Sequence, residues 1–415
     1  MATDDAWAAI REAQPPAGGP ALAAGSTEAF VAGLVHFKDI ARECPEAHAL
    51  VAECAAGSPR RVALHLFFET ADTALREMER EEHEVRSGRA TLSPHQPDRA
   101  KVVQIVRSHC ALLVAMRHAR KLVVRPADSG FFCPFLAVLD ALLLAPPHLE
   151  VDIDWRLHGG EQHFTYRPPR GECVWRCLFA PVSRPGDGSL PPGAPTQADA
   201  GAIELQMPRF NFFLTARFRG FAASSANSAL MRRAYHAVFA RFVRPRHPTL
   251  VDALGSLGAE LRGSVSLGIH KRVETPGTAE YQGCRRVFSS ADFIAAAHRL
   301  IATAARPVAC VFLATDDAHA EAAFRAAFGA RLRIRSGVQR VPGGLNADGT
   351  LNEVHISSPH NPGCSVRDAA DVLADAMLLA CCGCVLHMDS NVTSAVALMN
   401  PEVAMVHITD AVRRG

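Results

Sequence analysis

Across 415 residues, 44 Lys and Arg nearly cancel 42 Asp and Glu. No net basic field therefore argues for nucleic acid or an anionic membrane surface, and a small molecule or glycan is the better class of partner. A chain of this length exceeds one ordinary domain and suffices for two, each burying its own core. The opening residues, MATDDAWAAIREAQPPAGGP, carry acids where a signal peptide needs cations followed by an apolar run. No stretch reaches ~18 uninterrupted apolar residues; the densest, from Phe131 to Pro147, contains Asp140. The expectation is a soluble chain without a membrane span, cytoplasmic by default, or Golgi-resident if an anchor is missing from this sequence.

Residues 26 to 118 read mostly as helices. TADTALREMEREEHEVRSG places Glu and Arg where they can pair across a turn, and DRAKVVQIVRSHCALLVAMRHARK opens on an Asp suited to an N-cap and repeats apolar residues at three and four. KLVVRP, from Lys121 to Pro126, then reads as a strand, Gly130 as part of a loop, FFCPFLAVLDALLLA as a helix and LEVDIDW as the next strand. Such units build parallel sheets, which bind ligands at the carboxyl ends of their strands, so Gly130 would line a cleft. The Pro/Gly-dense stretch Ser183 to Gly201 reads as a surface loop, and SANSALMRRAYHAVFARFVRP as a helix stopped by the prolines of RPRHP.

From Thr249 the alternation is regular. A helix over TLVDALGSLGAELRG leads to a strand from Ser264 to Ile269, and a helix capped by Ser289 or Ser290 follows. Then come strand VACVFLAT, helix DAHAEAAFRAAFG, strand RLRIRS, a Gly-rich loop, helix SVRDAADVLADAMLLACC, strand CVLHMD, and a closing helix and strand. The expected fold class is α/β, with an N-terminal helical region over 1–120, a Rossmann-like domain over 121–248 and a second Rossmann-like domain over 249–415. The 12 cysteines are scattered, without the spacing of a secreted disulfide scaffold. CCGC at Cys381, Cys382 and Cys384 has no second pair, so buried free thiols are the main reading and zinc the minor one.

Three polar clusters fall at strand ends: His270, Lys271 and Arg272; then ATDD, Ala314 to Asp317; then HMDSN, His387 to Asn391. Each alone has a bland reading, as a solvated strand edge or as an Asp capping a helix. Together they favour a binding cleft, since the helix N-termini behind them offer unpaired N–H groups to phosphate.

In this order LGIHKR, VFLATDDAHAEAAFRAAFG and SVRDAADVLADAMLLACCGCVLHMDSNVTSAVALMNPE resemble the donor domain of the fucosyltransferase superfamily, above all the core α-1,6-fucosyltransferases and rhizobial chitooligosaccharide fucosyltransferases. The resemblance covers about Ser264 to Pro401, and extends more weakly to KLVVRPADSGFFCPFLAVLDALL, VDIDW and CVWRCLFAP. It implies a GT-B-like fold, two Rossmann-like domains facing a cleft, with 121–248 the acceptor-side domain and 249–415 the nucleotide-sugar donor-binding domain. It also implies an inverting, metal-independent glycosyltransferase with GDP-fucose as donor and a glycan or glycoprotein hydroxyl as acceptor. No cofactor is expected, since TDD is not the DxD signal of a manganese-bound donor, and no nucleic acid.

Carried over by residue, the resemblance makes Arg272 the contact to the donor's β-phosphate with His270 beside it, Asp316 and Asp317 the contacts to the nucleotide's polar edges, and Asp375 the acid of the late helix. Ser390 and the helix beginning at Asn391 would help hold phosphate, and Glu280 would take the acceptor's proton. A guanidinium suits the first role because it can hold the departing diphosphate bidentately as charge develops. The sequence departs from the family at Val273, where a second Arg is usual, at Pro276, where a Lys is frequent, and at Asp389-Ser390, where Ser-Ser is expected. The plant O-fucosyltransferase-like pattern His-x-Arg-x-Glu, with a later Gly-Cys, is matched by His270, Arg272, Glu274, Gly283 and Cys284. This makes Glu274 a rival base. A catalytically inactive nucleotide- or glycan-binding relative is the alternative function.

Overall fold

The structure, a computed structural model, describes residues 38–88, 99–126, 130–156, 166–167, 171–182, 202–206, 228–273, 288–347, 349, 352, 354, 364–388 and 390–413. Four helices open it: α1 (Lys38–Glu43), α2 (Glu46–Ala52), α3 (Pro59–Arg86) and α4 (Arg99–His118). α3 begins where Ser58 accepts from the Arg61 N–H, with Pro59 filling a first-turn position that needs no donor. Its Leu64, Phe67, Phe68, Ala71 and Leu75, spaced by three and four, are all buried.

Next come β1 (Lys121–Arg125), α5 (Phe132–Leu144), β2 (Glu150–Ile153), β3 (Tyr166–Arg167), α6 (Val174–Leu178) and β4 (Ala202–Gln206). β1 lies between β2 and β4, both parallel to it. The sequence reading identified β1, α5 and β2 but not β4, a five-residue run directly after the Pro/Gly-dense stretch, nor the two-residue β3. All of that stretch lies outside the described residues, as do positions 26–37 and 89–98 of the expected helical region.

α7 (Ala229–Phe242) starts at Ser228, whose hydroxyl accepts from the Met231 N–H. The single expected helix after it is two, α8 (Pro248–Gly255) and α9 (Leu257–Gly263), because the backbone turns at Ser256, between two glycines two residues away or nearer. The strand that follows, β5, runs Ser266–Lys271, two residues later than expected. Then come α10 (Ser290–Thr303), capped by Ser289 with Asp292 answering in a capping box, β6 (Cys310–Thr315), α11 (Ala318–Phe328) and β7 (Leu332–Arg333). β8 (Cys364–Ser365), α12 (Val366–Ala380), β9 (Cys384–His387), α13 (Asn391–Met399), β10 (Ala404–His407) and α14 (Ile408–Arg413) complete the chain.

The second sheet is all parallel, in the order β10-β9-β5-β6-β7. The chain steps outward from β5 through β6 to β7, then returns to the other side of β5 for β9 and β10. Its direction therefore reverses between β5 and β9, which is where open parallel sheets of this kind take ligands. One face packs Leu267, Ile269, Val311, Leu313 and Leu386 under α10, α11 and α14. The other packs Phe312, Ala314 and Val385 under α12 and α13, and this core continues into the N-terminal helices and the first sheet. Each buried Leu, Ile, Val or Phe contributes about 1.5–3 kcal/mol relative to exposure. A β-carbon at Gly268 would lie 2.9 Å from Leu379 and 3.1 Å from the Cys382 sulfur, so glycine lets α12 sit close on β5.

α7 is tied to the end of α13 by polar contacts. Buried Arg232 donates to the carbonyls of Ala397, Asn400 and Val403, at 3.1, 3.1 and 2.6 Å, which serves acceptors that a helix end leaves without partners. No helix among the described residues is long and apolar enough to cross a membrane.

Candidate functional site

The carboxyl ends of β5 and β6 are locked together. Lys271, 1% exposed, reaches from β5 to the Asp317 carboxylate at 2.9 Å, and its ammonium also donates to the Arg272 carbonyl at 3.1 Å. The other Asp317 oxygen caps α11, accepting from the His319 and Ala320 N–H groups at 2.8 and 3.0 Å. Asp316 accepts from the Val273 N–H at 2.6 Å. The two acids of ATDD thus hold the peptide that joins Arg272 to Val273, Asp316 directly and Asp317 through the Lys271 ammonium. Within the run His270-Lys271-Arg272, His270 and Lys271 are buried and only Arg272 has substantial exposure.

Tyr166 connects this edge to the first sheet. β3 pairs parallel with β8, Tyr166 opposite Cys364 and Arg167 opposite Ser365, so a segment that follows β2 lies beside the N-terminus of α12. The buried Tyr166 ring meets Phe131 edge to face at 5.7 Å, next to Gly130, which is half-buried at the start of α5. Burial raises the Tyr166 phenol well above its ordinary range, with Cys364 adding to the effect. A hydrogen bond from the Phe131 backbone and the charge of Arg272 oppose it. The residue after Gly130 thus packs on the tyrosine that pairs β3 with β8.

Asp375 is buried on α12 and held by Arg335, whose guanidinium lies 3.3 Å from its carboxylate and also pairs with Asp371. Arg335 follows β7, so this cluster pins the loop after β7 to α12. The same loop crosses the β6 end, where Val341 donates to the Asp316 carbonyl at 2.8 Å and Arg340 pairs with Glu321 at 3.1 Å. Burial pushes Asp375 up to about 6 despite the opposing charge of Arg335. A carboxyl raised in the folded state binds its proton there first, so its ionisation costs stability as pH rises through about 4 to 6. Asp375→Asn, which mimics the neutral form, should gain most on the parent at pH 7 and lose that advantage by pH 4.5 in urea unfolding. A difference that stays constant between these pH values would contradict the assignment.

Ser390 caps α13, accepting from the Thr393 N–H at 3.1 Å while the Thr393 hydroxyl answers the Ser390 N–H, and Asn391 is the half-buried first residue of that helix. Register places His270, His387 and His407 side by side across β5, β9 and β10 at their carboxyl ends. The rings of His387 and His407 meet edge to face at 5.4 Å. Nδ1 of His407 accepts from the Thr409 N–H at 3.2 Å, which leaves the proton of the neutral ring on Nε2.

The structure thus brings Arg272, Asp316 and Asp317 together, while Gly130 precedes the Phe131 that packs on Tyr166. His270 lies beside His387 on the adjoining strand, while Asp375 is engaged with Arg335. Glu274 and Glu280 lie outside the described residues, as do Pro276, Gly283, Cys284 and Asp389. Lys271, which the sequence grouped with His270 and Arg272 as a polar strand end, is buried and paired with Asp317. Sequence reasoning passed over Tyr166, Arg335 and the histidine row. Of these only the histidines carried a signal, one at the end of each of three predicted strands. The CCGC cysteines are free thiols, Cys381 accepting from Arg262 at 3.0 Å.

No protein-family model matches the chain, and no curated protein matches it. Among solved structures, the chain is similar to NodZ α-1,6-fucosyltransferase soaked with GDP-fucose, at 16% identity and a TM-score of 0.40, over 68% of this chain and 93% of that one. It is similar at 16% identity and a TM-score of 0.39 both to the same enzyme co-crystallised with GDP, over 68% and 93% of the two chains, and to fucosyltransferase NodZ from Bradyrhizobium, over 68% and 94%.

Proposed function

We propose that the chain is an inverting, metal-independent glycosyltransferase that transfers fucose from GDP-fucose to a hydroxyl of a glycan or glycoprotein. The observation that carries this reading is Arg272. It is the partly exposed cation of its run, it stands at the end of the first strand of its sheet beside the point where strand order reverses, and the peptide that follows it is held by Asp316 and by Lys271. A guanidinium so fixed suits a departing diphosphate, because it needs no reorganisation as negative charge develops on the leaving group. The motif order from LGIHKR to HMDSN supplies the sugar nucleotide.

In this reading Arg272 grips the β-phosphate with His270 beside it, and Asp316 meets the nucleotide. Asp317 acts through Lys271, and Asp375 through Arg335. Ser390, Asn391 and the start of α13 add N–H groups toward phosphate, and the acceptor approaches from the side of Gly130. Glu280, or else Glu274, removes the acceptor's proton as the hydroxyl oxygen attacks the sugar's anomeric carbon and GDP departs.

A second reading rests on Val273. This residue, standing where the resembling enzymes carry a second arginine, is 7% exposed and has its N–H engaged by Asp316. A relative that kept the nucleotide site but lost a phosphate cation would bind GDP without turnover. Calorimetry of the purified chain with GDP, GDP-fucose, GDP-mannose and UDP-glucose, followed by a GDP-release assay with glycan acceptors, separates the two. Binding of GDP with release from GDP-fucose is expected; binding without release favours the inactive relative, and binding of no nucleotide overturns both.

A further inference from the structure

We infer that the end of α7 and the segment facing it form a binding site for a sulfated or phosphorylated saccharide. A concavity of about 150 Å³ is lined by Ala180, Pro181, Arg241, Phe242 and Arg244. It shares no residue with the Arg272 neighbourhood and does not depend on the fucosyl-transfer reading.

The sequence RFVRPRHP sets three arginines within six residues, and all three, Arg241, Arg244 and Arg246, are exposed. Among the described residues none of them has a carboxylate partner, although several exposed arginines elsewhere do: Arg86 pairs with Glu82, Arg107 with Glu43 and Arg325 with Glu321. One unpaired arginine at a helix C-terminus needs no explanation, since the last carbonyls favour a cation there. Two more follow by Arg246, and Arg241 and Arg244 line a hollow with no acid among its described lining residues, which makes a local positive field on a chain whose formal net charge is only +2.

The backbone that carries them is fixed. Pro245 bridges antiparallel to Phe179, with the Ala180 N–H donating to the Arg244 carbonyl at 2.8 Å and the Arg246 N–H to the Leu178 carbonyl at 2.9 Å. Val243, Leu178 and Phe179 are fully buried beneath it. Binding would therefore order little beyond the arginine side chains themselves.

The lining selects the ligand class. Guanidinium forks match the oxygens of sulfate and phosphate esters and hold them bidentately. Arg241 already lies over the Phe242 ring, 5.0 Å from its centre, and Phe242 with Pro181 and Ala180 gives an apolar wall for the carbon face of a sugar. The volume accepts an oxyanion with part of the ring that bears it. A nucleic acid would need a longer basic track than this near-neutral chain provides.

The test is calorimetry of the full chain with a 6-sulfated lactosamine tetrasaccharide, its 6-phosphorylated analogue, the neutral tetrasaccharide, inorganic sulfate and a short single-stranded DNA. One or both charged saccharides should bind, more weakly as salt rises, and the neutral one should not. Arg241→Gln/Arg244→Gln should weaken that binding roughly tenfold or more, with the melting transition unchanged. Arg241→Lys/Arg244→Lys, which keeps charge but loses the fork, should fall between. Arg86→Gln/Arg325→Gln, with the same loss of charge elsewhere, should bind as the parent does. The inference is overturned if the parent binds neither charged saccharide, if inorganic sulfate binds as tightly, if DNA binds more tightly, or if the glutamine variant is unaffected.

Discussion

Arg272→Ala should weaken GDP binding by about 10- to 100-fold, the loss expected when a charge-assisted, bidentate contact worth about 1.5–3 kcal/mol is removed. If the chain turns over GDP-fucose, transfer should fall by about 10²- to 10³-fold, because a donor fixed where leaving-group charge develops contributes more to the transition state than to the ground state. The melting transition should barely move, since the side chain is partly exposed and the β5 end is secured by Lys271 and by the Asp316 contact to Val273. Arg272→Lys should recover part of the binding and less of the rate, because an ammonium keeps the charge without the planar fork. Calorimetry with GDP and a GDP-release assay measure the two effects separately. An Arg272→Ala protein that binds GDP as tightly as the parent would remove Arg272 from the donor site.

Legibility in the sequence followed the reach of each interaction. The strand and helix alternation after Thr249 could be read because periodicity and caps are local: Ser289, Ser365 and Ser390 each stand at the predicted helix starts with an answering residue at the third position. β3 and β8 were not legible, since two residues carry too little pattern, and β3, β4 and β8 are each defined by partners far along the chain. The same holds for the site. HKR and TDD announced themselves as polar strand ends, but which charge faces solvent was decided by register. Lys271 lies beside Thr315 on β6, where it can reach Asp317, and this takes the lysine out of any phosphate role. Asp317 combines both readings open to it in the sequence, as helix cap and as member of a charged cluster. Tyr166 was invisible because nothing around it in sequence hints that a segment after β2 pairs with the start of α12.

Lys271→Met should destabilise the fold by about 3–5 kcal/mol, because it keeps the buried aliphatic stem and leaves the Asp317 carboxylate, 6% exposed, without its cation. The two N–H groups of α11 that Asp317 caps soften this loss but do not neutralise the charge. The double variant Lys271→Met/Asp317→Asn should regain a large part of the stability, since the asparagine oxygen can still cap α11 while the uncompensated charge is gone. Urea unfolding of the parent, both single variants and the double variant closes the cycle and isolates the coupling. The physical content is the asymmetry: removing one partner of a buried pair costs far more than removing both. If the double variant proves no more stable than Lys271→Met, the pair is not what secures β5 to β6. The consequence for the site follows from the same ammonium, which also holds the Arg272 carbonyl. In the double variant, stability and donor binding should part company, with the fold largely restored and GDP affinity still reduced, because only the Asp316 contact to Val273 then holds the backbone from which Arg272 projects. A double variant that recovers both together would assign Lys271 to the fold alone.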